Sequence, residues 1–149
     1  MSQPLVIERE IDAPVERVWQ ALTDIKYLKQ WLGFFPDFKP EVGFTTDFDL
    51  GPADHKYPHH VEVLEVVEKQ RLTYTWDYGG MSQGSDVTFE LRPQGQNTKL
   101  VLTCRFKHIP ADEPDFMKNA SQGWNFTADS LKTFAESKYE AIKREGHDV

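Results

Sequence analysis

Residues 119–144 read Asn119-Ala-Ser-Gln-Gly-Trp-Asn-Phe-Thr-Ala-Asp-Ser-Leu-Lys-Thr-Phe-Ala-Glu-Ser-Lys-Tyr-Glu-Ala-Ile-Lys-Arg144, and their apolar members recur at helical spacing. The apolar stripe consists of Trp124, Ala128, Leu131, Ala135, Tyr139 and Ile142. Neither Pro nor Gly interrupts residues 124–145, and Gly146 follows at a position where helices commonly end. At ~1.5 Å per residue the predicted helix is about 35–40 Å long. Such an apolar stripe needs an apolar surface of similar length in the same fold to pack against.

The upstream sequence supplies that surface as a series of predicted β-strands. Apolar and polar residues alternate with a period of two along six segments. These segments are 5–11, 42–50, 59–68, 71–77, 86–92 and 99–106. Within 59–68 the apolar phase changes after Val63, which predicts a bulge near Leu64. Short turns join most segments, so we predict an antiparallel sheet of about six to seven strands.

Two short helices are predicted between the first and second strands. Pro14 is expected at the first helical position, with Glu16 in the first turn. Asp24 is expected to cap the second helix, which carries Leu28 and Trp31. No repeat or composition shift divides the chain, so the sequence predicts one α+β domain over residues 1–149.

Composition and charge narrow the function classes. The chain has 149 residues, 39% hydrophobic content and a net charge of −7, and its Lys and Arg are dispersed. A nucleic-acid-binding protein normally has a basic patch, so we expect no nucleic-acid partner. The sequence has no secretory signal and no apolar run of ~18 residues, so we expect a cytoplasmic protein with no membrane partner. A single cysteine, Cys104, excludes an internal disulfide and any multi-cysteine metal site.

Four stretches carry a family resemblance. They are Ile11-Asp-Ala-Pro-Val-Glu-Arg-Val-Trp-Gln-Ala-Leu-Thr-Asp24, Tyr27-Leu-Lys-Gln-Trp31, Val63-Leu-Glu-Val-Val-Glu-Lys-Gln-Arg-Leu-Thr-Tyr-Thr-Trp76, and Gly123-Trp124 ahead of a helix with Leu131. Together they resemble the START-like superfamily, also called SRPBCC, which has the fold of the birch-pollen allergen. Within it they resemble the homologues of the activator of the ninety-kilodalton heat-shock chaperone's ATPase.

The resemblance implies a helix-grip fold, in which a curved antiparallel sheet wraps around a long C-terminal α-helix and two short helices follow strand one. In this superfamily the space between sheet and helix commonly holds an apolar ligand, and different members bind lipids, hormones or polyketides. Fold alone therefore fixes little about function. Gly33-Phe34-Phe35-Pro36 stands where a tryptophan-rich loop is common in the family.

The aromatic content of 13% suggests a cavity with apolar walls and a few polar groups. The predicted ligand-binding residues are Trp31, Phe44, Phe48, His60, Tyr74, Trp76, Phe89, Phe106, Met117 and Trp124. The alternative is that these side chains fill a close-packed core and leave no void. Gly123 permits a bend or a close backbone approach, so we expect the cavity mouth at that end of the long helix, facing Trp31.

Metal binding and catalysis are not predicted. The histidines near residues 55–60 suggest a metal, but the adjacent His59 and His60 point to opposite faces of a strand. Catalysis needs a base or nucleophile with an orienting partner, and no such constellation is visible. Cys104 shares the inward strand phase and is expected to be an inert buried thiol. We expect no metal and no cofactor.

Two features of the sequence each have more than one interpretation. Arg9 is either an inward cation for a carboxylate ligand or an edge residue whose charged end reaches solvent. The aromatic segment before strand two is a cavity lid or a homodimer contact, unless the helix pair simply packs on the end of the sheet. Its members are Tyr27, Trp31, Phe34, Phe35 and Phe38.

Three functions follow from these observations. The first is a small-molecule binding protein that holds an apolar or amphipathic ligand between sheet and long helix, as a monomer or homodimer. The second is a co-chaperone or stress-response protein with a chaperone partner, as the family branch implies. The third is an enzyme of the cyclase or aromatase kind, which requires a titratable pair inside the cavity.

Overall fold

The computed structural model describes residues 4–33, 35–50, 57–78, 85–107 and 115–137. Six strands and three helices occur in these ranges. In chain order they are β1 (Leu5–Ile11), α1 (Val15–Thr23), α2 (Ile25–Trp31), β2 (Thr45–Leu50), β3 (Tyr57–Val67), β4 (Arg71–Tyr78), β5 (Ser85–Gln94), β6 (Asn97–Phe106) and α3 (Phe116–Glu136).

The six strands form one antiparallel sheet in the order β1-β6-β5-β4-β3-β2. The apolar residues of alternate strand positions share the inner face, where they form one core with the buried residues of the helices. This arrangement confirms the predicted α+β helix-grip architecture, with two short helices after strand one and a long helix at the end.

The predicted bulge in β3 is present. The register against β4 shifts between Val63 and Glu65, and the intervening Leu64 is 42% exposed. The bulge changes which residues face inward, because an extra residue reverses the alternation of side chains.

The helix pair begins and ends close to the predicted residues. Pro14 is the N-cap of α1, one position earlier than predicted, and the Asp24 carboxylate accepts a hydrogen bond from the Lys26 backbone N–H at the start of α2. The predicted cap at Asp24 is therefore confirmed.

Helix α3 has different bounds from the predicted ones. It begins at Phe116 and ends at Glu136, whereas the apolar stripe predicted residues 119–144. Ser137 is extended, and both its hydroxyl and its backbone N–H donate to the Phe134 carbonyl. Serine side chains compete with helical hydrogen bonding in this way, and the periodicity of the stripe does not reveal it. Residues 138–149, including Tyr139 and Ile142, lie outside the described residues.

Polar contacts hold α3 against edge strand β1. The Arg9 guanidinium donates to Asp129 Oδ1 at 2.6 Å and to Asn125 Oδ1 at 2.8 Å. The Lys132 ammonium donates to the Glu10 carbonyl at 2.6 Å. Arg9 lies on an edge strand and is partly exposed, as the second interpretation predicted, and its charged end bonds to the polar side of α3. The interpretation as an inward cation is wrong.

Candidate ligand-binding cavity

A cavity of about 290 Å³ lies between the inner face of β4, the end of α2 and the first half of α3. Its walls are almost entirely apolar. The lining residues are Trp31, Leu32, Tyr74, Trp76, Ala120, Gly123, Trp124, Phe126 and Thr127. The volume is close to the lower end of the range of small-molecule sites, roughly 300–1,000 Å³.

Hydrogen bonds hold two of the three tryptophan walls in place. The Trp31 indole N–H donates to the Ala21 carbonyl at 2.7 Å, which ties the end of α2 to α1. The Trp76 indole N–H donates to His59 Nδ1 at 3.0 Å. Trp124 meets Trp76 edge to face, with ring centroids 5.1 Å apart. The aromatic walls are therefore formed before any ligand arrives.

Tyr74 supplies a polar atom to this apolar lining. Its side chain is only 4% exposed, and its ring packs against Phe38, Trp76 and Phe89. Burial raises the pKa of the phenol far above its ordinary value, and the nearby Cys104 thiol acts in the same direction. Tyr74 therefore stays a neutral phenol at physiological pH.

Gly123 lines the cavity, but no other described part of the chain packs closely against its backbone. A Cβ placed on this residue would meet no atom within 4 Å, and α3 is continuous through it. The expected close backbone approach at Gly123 is therefore wrong, and the bend stays a prediction. The missing side chain of this glycine instead leaves space at the cavity wall. That end of α3 does face Trp31 across the cavity, as the sequence predicted.

Nine of the ten predicted site residues divide into two groups. Trp31, Tyr74, Trp76 and Trp124 line the cavity. Five others belong to the surrounding core or pack against it, namely Phe44, Phe48, Phe89, Phe106 and Met117. Strand alternation identifies the inner face of the sheet, but it does not show which inward side chains border a void.

His60, the tenth predicted residue, faces the other way. It lies on the outer face of the sheet, where Nδ1 is 2.7 Å from Asp47 Oδ1. Its neighbour His59 is the inward histidine, stacked on Phe48 with ring centroids 5.6 Å apart. The sequence contains a signal for the inward position of His59. Val61 and Val63 are buried, and His59 lies two residues before Val61 on the same face of the strand.

His59 makes stability depend on pH. Burial lowers the pKa of His59, and the Asp49 carboxylate partly opposes this shift. A lowered folded-state pKa means that the stability contributed is present above the unfolded value of 6.5 and is lost as pH falls below it. We expect the free energy of unfolding to decrease from pH 7 toward pH 5, with a slope below the one-proton limit of about 1.4 kcal/mol per pH unit.

Urea denaturation across this pH range measures the slope. His59→Gln should reduce the slope of the unfolding free energy between pH 7 and pH 5. The outer-face control His60→Gln should keep the wild-type slope. Equal slopes in wild-type protein and His59→Gln would contradict the assignment.

Phe35 is not among the predicted site residues, although its ring packs against four other aromatic rings. It is 1% exposed, and its ring lies 5.1 Å from Phe48 and 5.8 Å from Trp76 and Phe38. Phe38 is also buried. Neither ring forms a surface lid or a dimer contact, so both interpretations are wrong for these two residues, and Phe34 lies outside the described residues.

A second, more open groove continues from the cavity mouth along α3. It measures about 480 Å³ and shares Trp31 and Phe126 with the cavity. Phe126 is 72% exposed, which is unusual for a large aromatic side chain. The rim of the cavity is therefore apolar as well as its interior.

Other chemistries find little support in the described parts of the chain. No group of three or more His, Cys, Asp or Glu side chains could hold a metal ion there. His55, His108 and His147 lie outside those parts. Cys104 is fully buried, and burial raises the pKa of its thiol to about 12. None of the helices in the described ranges combines the length and apolar character needed to cross a membrane.

The sheet, the helix order and the cavity between sheet and long helix define a START-like (SRPBCC) helix-grip protein. Residues 12–136 match the family described as Activator of Hsp90 ATPase homolog 1-like protein. Because the match covers most of the chain, the protein belongs to this family.

Solved structures show the same fold. Protein MLL2253 from Mesorhizobium loti is 29% identical, with 93% of this chain and 100% of that chain covered and a TM-score of 0.76. CV1439 from Chromobacterium violaceum is 24% identical, with 93% and 100% covered and a TM-score of 0.75. No curated protein matches the sequence.

A third structure belongs to a longer protein. DynU16, a protein in the dynemicin biosynthetic locus, is 23% identical with a TM-score of 0.75 over 92% of this chain. The present chain covers 48% of DynU16, about half its length. This likeness shows the shared fold.

Proposed function

We propose that this protein binds a small apolar or amphipathic molecule in the cavity between β4 and the first half of α3. The observation that carries the proposal is a 290 Å³ space whose walls include three tryptophans from three separate elements. Fixed aromatic walls favour binding, because the protein does not have to order them when the ligand arrives.

The electrostatics of the site favour a neutral ligand. Among the residues that the structure describes, none of those lining the cavity carries a charge. The Arg9 guanidinium, the cation expected for a carboxylate ligand, instead bonds to Asp129 and Asn125 on α3. A carboxylate placed in such a cavity would lose its hydration without gaining a counter-ion.

The alternative functions have less support. A cyclase or aromatase needs a titratable pair, and the described cavity lining contains Tyr74 but no acid or base beside it. The co-chaperone hypothesis rests on the name of the family and on no contact in the structure.

Tryptophan fluorescence tests the proposal directly. Trp31, Trp76 and Trp124 line the cavity, whereas Trp19 is buried in α1 away from it. Titration with naphthalene, flavone and fatty alcohols should quench or shift the emission and raise the melting temperature. Trp124→Leu should weaken binding roughly five- to tenfold through lost aromatic contact.

The matched control is Trp19→Phe, which changes a tryptophan outside the cavity. It should leave the dissociation constants unchanged. If no compound of the panel changes either signal, or if Trp19→Phe weakens binding as much as Trp124→Leu, the cavity is not a ligand site.

A further inference from the structure

The polar side-chain groups that line the cavity differ in whether they have a hydrogen-bond partner in the protein. The indole N–H groups of Trp31 and Trp76 both donate to protein acceptors. The Thr127 hydroxyl donates to the Gly123 carbonyl at 3.0 Å. The Tyr74 hydroxyl, by contrast, makes no hydrogen bond with any residue that the structure describes.

The position of Tyr74 makes this absence informative. The residue sits on β4 in the middle of the sheet, and its side chain is 96% removed from solvent while lining the cavity. The hydroxyl oxygen is not one of the fully buried polar atoms that lack a partner, so it is open to the cavity and available to donate a hydrogen bond to a molecule there. The Trp124 indole N–H also lacks a partner among the described residues, but this ring is only half-buried.

We propose that the Tyr74 hydroxyl donates a hydrogen bond to a neutral acceptor oxygen of the ligand, so the cavity selects a flat aromatic molecule that carries a carbonyl group. This inference rests on the proposed function and specifies its ligand class. The cavity volume suits a molecule of roughly two to three rings at protein packing density.

The charge state of Tyr74 fits this role. Burial raises the phenol pKa, so the group keeps its proton and acts as a donor throughout the physiological range. An anionic ligand oxygen would accept the same hydrogen bond, but the lining residues within the described ranges offer it no counter-ion. A ketone, quinone or ester carbonyl matches both conditions.

Three probes with one ring system test the inference: acetylnaphthalene, isopropenylnaphthalene and naphthoate, all substituted at the same ring position. The first two have nearly the same shape, but only acetylnaphthalene has the carbonyl acceptor. Wild-type protein should bind it roughly three- to tenfold more tightly than isopropenylnaphthalene. Naphthoate should bind weakest at pH 7.

Tyr74→Phe should abolish the preference between the two neutral probes and leave the affinity for isopropenylnaphthalene unchanged. Its melting temperature without ligand should equal or exceed that of the wild type, because the lost hydroxyl had no protein partner. A purely structural hydroxyl would lower it. Tyr27→Phe, which changes a buried tyrosine outside the cavity lining, should keep the wild-type preference.

The outcomes separate the two proposals. Equal binding of both neutral probes to wild-type protein and to Tyr74→Phe, or a preference for naphthoate, would overturn the role of Tyr74 and leave the cavity a ligand site. A preference that persists in Tyr74→Phe would do the same. Binding of none of the probes would overturn both proposals.

Discussion

Phe35→Ala should destabilise the protein by about 3–5 kcal/mol, the range for truncating a buried phenylalanine. Phe35 is 1% exposed and contacts Phe38, Phe48, Tyr74 and Trp76. Three of these rings are anchored on strands β2 and β4, so they cannot collapse together into the vacated space without moving the sheet. A domain with a total stability of about 5–15 kcal/mol should still be folded at 25 °C.

The same variant should gain volume for ligands. Tyr74 and Trp76 border both Phe35 and the cavity, so the new void should join the existing one. Naphthalene should then raise the melting temperature of Phe35→Ala more than that of the wild type, because an apolar guest replaces the lost contacts.

Urea denaturation with and without naphthalene measures both effects. Phe126→Ala is the matched control, because Phe126 is 72% exposed and its loss should change stability by no more than about 0.5 kcal/mol. A cost below about 1 kcal/mol for Phe35→Ala would contradict the packing described here.

The regular elements were predictable because each has a periodic signal. The change of apolar phase after Val63 located the bulge, and the stripe through Ala128 and Leu131 located the core face of α3. These signals arise from burial on one face of a repeating structure. They extend over many residues, so an error at one position does not hide the element.

The site was less predictable because its details depend on single residues. His60 is predicted from the sequence as a site residue, whereas the inward-facing histidine is its neighbour His59, one position away in the strand. Phe35 lies in the connection between α2 and β2, where no period relates one residue to the next. After Gly33, with its left-handed φ of 88°, the chain direction cannot be obtained from a pattern.

Gly123 shows how a sequence signal can be correct about location and wrong about cause. A glycine inside a predicted helix indicated a special position, and the residue does line the cavity. One expected reason, a close backbone contact, is absent, because a Cβ would meet nothing within 4 Å. What the glycine leaves open is space at the wall that a ligand can occupy.

Gly123→Leu should therefore separate ligand binding from folding. The leucine side chain would occupy part of the cavity beside residue 123. Steric overlap with the ligand should weaken binding of acetylnaphthalene roughly ten- to a hundredfold. Stability should increase by up to about 1 kcal/mol, because glycine is the poorer helix former. Few variants that lose binding this strongly would also be expected to gain stability.

Gly123→Ala is the matched control, since it gives nearly the same helix stabilisation with a single added methyl group. It should show the increase in stability and weaken binding much less than Gly123→Leu. Thermal unfolding and fluorescence titration of both variants provide the comparison. If Gly123→Leu bound the probe as tightly as Gly123→Ala, the ligand would have to lie outside the space beside Gly123, because no bound molecule could share that space with a leucine side chain.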